Sequence, residues 1–209
     1  MQQKIIPYWN LRFNVDENIS DERAIEEFRN LLIDSIRIRL RSDVPVGCML
    51  SGGLDSTSIT SVAYKVLKYP LATFSGITGD IKGVYDESEY ISSIVKETNA
   101  DAHYIRPEPS NVFETIDEML YFHDEPICTV TWYTMYLIDK KVRSEYVPVL
   151  LNGHGGDELL AGYWDHYHYY FYDLNDKRKT PVLENEIRCW KDNHNRDPME
   201  VQKIGRAHV

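Results

Sequence analysis

Six residues, Ser51-Gly52-Gly53-Leu54-Asp55-Ser56, carry the clearest chemical signal in the chain. They follow the unbroken apolar run Val46-Gly-Cys-Met-Leu50 and precede a helical pattern in which Ile59, Val62, Ala63, Val66 and Leu67 recur on one side. Two glycines let a backbone turn tightly and approach an anion closely. A helix starting at that turn directs free N–H groups and the positive end of its dipole at the same point. Ser51, Ser56 and Thr57 add hydroxyls. Asp55 would repel a phosphate, so its place in such a loop makes sense if it holds a divalent cation that bridges to the phosphate. The loop is not of the GxxxxGK[ST] type, because no lysine lies in it or just after it.

A second glycine-rich string, Asn152-Gly-His-Gly-Gly-Asp-Glu158, follows another apolar run, Val147-Pro-Val-Leu-Leu151. It supplies Asp157 as an acidic partner for Asp55. Alternatively, Asp157 and Glu158 only cap the next helix, and Gly155, Gly156 and Gly162 only serve turns. His166, His168, Cys189 and His194 fit no standard structural zinc spacing and read as part of an aromatic cluster. His123-Asp124-Glu125 is left without a role.

The elements that must position these loops follow from periodicity. Ser20 is expected to cap a helix whose stripe is Ile25, Phe28, Leu32, Ile36 and Leu40, with Pro45 blocking its continuation. Strands are expected near 46–50, 71–77, 102–105 and 147–151, and further helices over 87–98, 111–122 and 131–144, with Tyr90, Ile91, Ile94 and Val95 on one side of the first. This β-α-β-α-β-α-α-β order predicts an α/β fold, a doubly wound parallel sheet with ligands at the carboxyl ends of its strands. Beyond Asp173 the pattern is too polar to assign.

The bulk numbers restrict the function. A 209-residue chain with 43% hydrophobic residues can pack one core, and a net charge of −10 argues against a nucleic-acid surface. No apolar run approaches the roughly 20 residues of a membrane span. Cys48, Cys128 and Cys189 are odd in number and form no CxxC pair, which suits reduced thiols in a cytoplasmic protein.

Taken together, these strings carry a family resemblance. SGGLDS at 51–56 resembles the pyrophosphate loop of the N-type ATP pyrophosphatases, whose domain is adenine nucleotide α-hydrolase-like. Leu151 to Tyr163, LNGHGGDELLAGY, is similar to the asparagine synthetase signature SGEG-[SA]-DE-x-x-x-GY. PYWNL, DVPVGCMLSGGLDS, DESEY and the DEP before an apolar helix extend the likeness over roughly residues 5 to 200.

The resemblance implies ATP and Mg2+ as cofactors. It places Leu50, Ser51, Gly52, Gly53, Asp55, Ser56, Gly76, Asn152 and Gly153 at the nucleotide, and Asp55 and Asp157 on the metal. It implies that aspartate is activated as β-aspartyl-AMP and then takes ammonia derived from glutamine. The alternatives are an amidotransferase acting on another carboxylate, or an inactive ATP-binding fragment. Glu158 is given a supporting role. His154 stands where the family has a glutamate, and a neutral imidazole there could take the proton ammonia must lose. Asn152 replaces the usual serine. The family's glutaminase domain and its late lysine have no counterpart in the sequence. The expected division is a linker at 1–19, the synthetase-like domain at 20–203 and a non-native tail at 204–209. Oligomeric state is left open.

Overall fold

The computed structural model describes residues 4–10, 12, 14–16, 18–77, 87–129 and 131–194. The tail at 204–209 and Asp86 of DESEY lie outside them. Residues 4–10, 12 and 14–16 form no helix or strand, and Ile5, Tyr8 and Trp9 are exposed.

Helix α1, Asp21–Arg39, starts where Ser20 accepts a hydrogen bond from the Arg23 amide. Acidic Asp21 and Glu22 in its first turn and basic Arg37 and Arg39 in its last complement the helix dipole. Only the C-terminal half of its apolar stripe is covered. Ile36 and Leu40 are buried, whereas Ile25 and Phe28 are exposed, because the sheet lies under the last turns alone.

Strand β1, Val46–Met49, feeds the glycine loop and then helix α2, Leu54–Ser61. Helix α2 runs on through Val62–Val66 in a widened turn, in which the Leu67 amide donates to the Val62 carbonyl five residues back. That extra residue turns Val66 to solvent while Ala63 stays fully buried. Strand β2, Ala72–Gly76, helix α3, Ser88–Thr98, and strand β3, Asp101–Ile105, follow. Of the apolar residues expected on the inner side of α3, Ile91 is buried and Tyr90 is exposed. Helices α4, Val112–His123, and α5, Thr131–Ser144, then return the chain to strand β4, Val149–Leu151.

All neighbouring strands are parallel and the order is β3-β2-β1-β4. The sheet therefore grows outward from β1 in one direction and reverses to add β4 on its other side. One face packs Ile36, Leu40 and Ala63 against Val46, Cys48 and Leu71. The opposite face packs Ile138 and Val142 of α5 against Phe74, Ile105 and Val147. Met119 of α4 lies behind α5 against Tyr133 and Tyr136. The doubly wound layering expected from the sequence is thus present, with helices on both faces.

Short helix α6, Gly156–Leu160, leads into α7, Trp164–Asp176, and α8, Thr180–His194. The last two were not assigned from sequence. They form a hairpin around Trp190, which is buried and touches the rings of Trp164, Tyr167, Phe171 and His194. The rings of His166 and His194 are thus engaged in aromatic packing, His166 against Tyr163. No helix among the described residues is long and apolar enough to cross a membrane.

Two tests probe the core. Cys48 is fully buried, and burial pushes its thiol from an ordinary 9.0 up to about 11, opposed weakly by a hydrogen bond from Thr60. An acid whose folded pKa is raised costs stability once the unfolded thiol can ionise, so this contribution is lost as pH climbs from about 9 towards 11. Iodoacetamide at pH 8 is expected to label exposed Cys128 and Cys189 in the native chain, and Cys48 only after denaturant, as read by mass spectrometry. At the β2–α5 contact, a Cβ on Gly76 would lie 2.6 Å from Thr134 Cγ2. Gly76→Ala should therefore cost about 1–3 kcal/mol in denaturant unfolding. Adding Thr134→Ser, which removes that methyl, should restore most of the loss.

Candidate functional site: two glycine loops meeting at an acidic pair

Strands β1 and β4 are hydrogen-bonded neighbours, with Cys48 opposite Leu151, so the loops that leave their carboxyl ends emerge side by side. This is the point where the strand order reverses, the usual crevice for ligands in an open α/β sheet. The contact between the loops is backbone-close. A Cβ on Gly153 would sit 2.8 Å from Asp55 Cβ and 3.0 Å from the Ser56 amide nitrogen. One on Gly156 would sit 2.1 Å from Asp55 Oδ2. The Asp55 carboxylate therefore lies directly against the second loop, and only glycines permit it.

The first loop is braced from within. The Ser51 amide donates to Ser56 Oγ at 3.1 Å, the two hydroxyl oxygens are 3.0 Å apart, and the Gly53 amide donates to Ser51 Oγ at 3.3 Å. Ser56 Oγ also donates to the Gly53 carbonyl at 3.3 Å. The hydroxyls of Ser51 and Ser56 are thus engaged in holding the loop's shape. Thr57 Oγ1, one residue further, is buried with no hydrogen-bond partner among the described residues. Gly52 has φ +85°, a conformation that favours glycine, and its Cα faces Glu87 and Tyr90 at the start of α3. Leu50 is fully buried and its amide donates to the Phe74 carbonyl at 2.9 Å. Any backbone contact of Leu50 to a ligand must therefore use its carbonyl.

In the second loop the Asn152 side chain accepts from the His154 amide at 3.1 Å, a local turn that asparagine forms readily. Gly155, at φ +92°, then opens α6. Asp157 lies in the first turn of α6, and its carboxylate packs on Gly162, where a Cβ would fall 1.9 Å from Oδ1. Desolvation, followed by the charges of Asp157 and Glu158, holds the Asp55 carboxyl above the usual range. Glu158 is held low by a hydrogen bond from the Tyr163 hydroxyl at 2.8 Å and by backbone amides. Gly76 ends β2, where its close neighbour is Thr134 of α5.

The structure brings Ser51 to Ser56, Asn152, Gly153 and Asp157 to one place. His154 borders a cleft of about 450 Å³ between the second loop and the α4–α5 connection. His123, Thr129, Trp132 and Asp139 also line it, with the His123 ring stacked on Trp132 at 4.8 Å. Asp139 is open to solvent on one side, yet desolvation raises its pKa, opposed by the nearby His123. Two other clefts, of about 500 and 580 Å³, run along α5 past Asp139 and Arg143 and do not reach the glycine loops. Glu87 and Tyr163 were given no role from sequence, although both belong to strings quoted for the resemblance. Their places beside Gly52 and Glu158 depend on how α3 and α7 are docked.

The donors fit Mg2+. Asp55 and Asp157 offer oxygen ligands from two loops, and their like charges repel in the absence of a cation. Among the described residues no group of three or more His, Cys, Asp or Glu forms a ready metal cage.

Comparison with known proteins identifies the family. The asparagine synthase family model matches residues 27–207, which includes four of the six terminal residues expected to be foreign. A putative glutamine-hydrolysing asparagine synthetase of Methanocaldococcus jannaschii is 35% identical over 175 residues, 83% of this chain and 33% of the relative. Asparagine synthetase 1 of Bacillus subtilis is 33% identical over 149 residues, 68% of this chain and 22% of the relative. The chain thus spans a third or less of the length of these two relatives. Among solved structures, an NH3-dependent NAD synthetase from Campylobacter jejuni aligns at a TM-score of 0.45 and 17% identity, covering 66% of this chain and 60% of that one. By the extent of the family match and by its identity to these synthetases, the chain belongs to the asparagine synthase family.

Proposed function

We propose that this domain uses ATP to activate the β-carboxylate of aspartate for amide formation. The observation that carries the reading is the contact of the Asp55 carboxylate with the Gly153–Gly156 loop, which puts two carboxylates from separate loops at the switch point of the sheet. Asp55 and Asp157 would hold Mg2+, which when bound neutralises charge on the phosphates. Backbone amides of the Ser51–Ser56 loop and the N-terminus of α2 would grip the pyrophosphate portion, with Thr57 Oγ1 free to donate to it. Leu50, Gly76, Asn152 and Gly153 would border the nucleotide.

The chemistry has two steps. A carboxylate oxygen attacks the α-phosphorus and pyrophosphate leaves, because a free carboxylate is a poor electrophile. Ammonia then attacks the acyl carbon of β-aspartyl-AMP, AMP leaves, and the nitrogen gives up a proton. His154 stands on the loop that carries Asp157 and opens to the cleft lined by His123, Trp132 and Asp139. We assign the acceptor to that side and the proton to the His154 imidazole. In the complete protein, a glutaminase domain would supply the ammonia.

Two substitutions test the reading. Asp55→Asn should weaken ATP·Mg binding by roughly 100-fold, about 2.8 kcal/mol, in calorimetric titration of this chain. Its melting midpoint should hold or rise, since the fold desolvates this carboxylate and sets it beside two like charges. Unchanged affinity would sink the metal assignment. In the full-length protein, His154→Ala should slow amide formation at least about tenfold more than aspartate-dependent exchange of pyrophosphate into ATP. Equal losses in the two assays would leave His154 with a packing role only. Exchange that proceeds equally without aspartate would point to a different acceptor.

A further inference from the structure

Asp157 and Glu158 are consecutive carboxylates in a helix of five residues, and the cation site proposed above uses Asp157 and not Glu158. Both charges bear on Asp55. A third negative group swinging into the pair would repel it further or compete for the ion. The chain reverses just beyond α6, with Ala161 at φ +58°. The Gly162 amide donates to the Asp157 carbonyl at 2.9 Å, and the Gly162 Cα lies under the Asp157 carboxylate. The next residue, Tyr163, precedes α7 as its N-terminal cap position and donates its hydroxyl to Glu158 Oε1 at 2.8 Å. Hydrogen bonds to an ionised acceptor are among the stronger ones. The charges of Asp157 and Asp55 also reach the Tyr163 hydroxyl, so this neutral donor sits at the edge of three carboxylates.

We propose that Tyr163 is a positioning residue: by tying down Glu158 it keeps that carboxylate off the ground between Asp55 and Asp157 where the cation must bind. The proposal rests on the ATP-activating reading and adds a role that acts through Glu158, without contact to substrate. It makes a specific genetic statement. Loss of the hydroxyl does harm only while Glu158 is charged, so neutralising Glu158 should suppress it.

The test is a double-mutant cycle on the full chain, with ATP binding followed by calorimetry across a Mg2+ series. Tyr163→Phe should raise the Mg2+ concentration for half-maximal binding by about five- to tenfold. It should leave ATP affinity at saturating Mg2+ within about twofold and the melting midpoint unchanged. Glu158→Gln should sit near the wild type, and Tyr163→Phe with Glu158→Gln should return to that value. Losses that simply add, or a Tyr163→Phe chain with unaltered Mg2+ dependence, would overturn the proposal. So would a fall in melting midpoint without a change in Mg2+ dependence, since that marks a structural role. If Tyr163→Phe fails to fold, Tyr163→Trp, which also removes the hydroxyl, takes its place in the cycle under the same criteria. A wild-type chain that binds no ATP at any Mg2+ concentration would overturn the ATP reading itself, and this proposal with it.

Discussion

The closeness of two backbones governs this domain. Gly153 and Gly156 carry no Cβ, and that absence lets the loop after β4 lie on Asp55 and on the first turn of α2. Any larger side chain at Gly156 would overlap the carboxylate, which in a packed structure must be relieved by moving one of the loops. Other features of the site take their positions from this contact. It fixes the mutual approach of the two loops and the start of α6.

The contact in turn requires β1 and β4 to be neighbours. A sheet that simply added strands in chain order would put β4 beyond β3, with two strands between it and the glycine loop of β1. The return through α4 and α5 on the opposite face brings β4 to the other side of β1 instead. Burial pays for that return, with Ile138 and Val142 closing over Phe74 and Ile105. Gly76 belongs to the same seam, since its missing side chain lets Thr134 approach. A glycine flagged as a nucleotide contact is therefore also a packing requirement of α5.

Charge is the second constraint. The site gathers Asp55, Asp157 and Glu158 within mutual influence, and Asp55 is held above its usual range by desolvation first and by the other two charges second. A domain built only for stability would separate such groups or pair each with a base. Glu158 is relieved by Tyr163, and Asp55 is not relieved by any hydrogen bond or ion pair among the described residues. An uncompensated carboxylate held against a glycine loop is the kind of perturbed group that functional sites gather.

Residue order alone determined a good deal. The apolar runs at 46–50 and 147–151 read as strands, and the glycine strings after them as tight turns, because both readings depend on local sterics and local hydropathy. Ser20, Pro45 and the stripe ending at Leu40 bounded α1 in the same local way. What periodicity could not supply was which faces meet a partner. Ile25 and Phe28 belong to the same stripe as Ile36, yet they are exposed because the sheet does not extend beneath them. Helices α7 and α8 escaped notice because their inner face is Trp, Tyr, Phe and His mixed with charge, and only mutual packing around Trp190 makes it a core. Asp55 and Asp157 stand out in the sequence as acidic residues in glycine-rich strings, but their meeting does not. It depends on strand order, and strand order is decided by long-range burial that no short window of sequence contains.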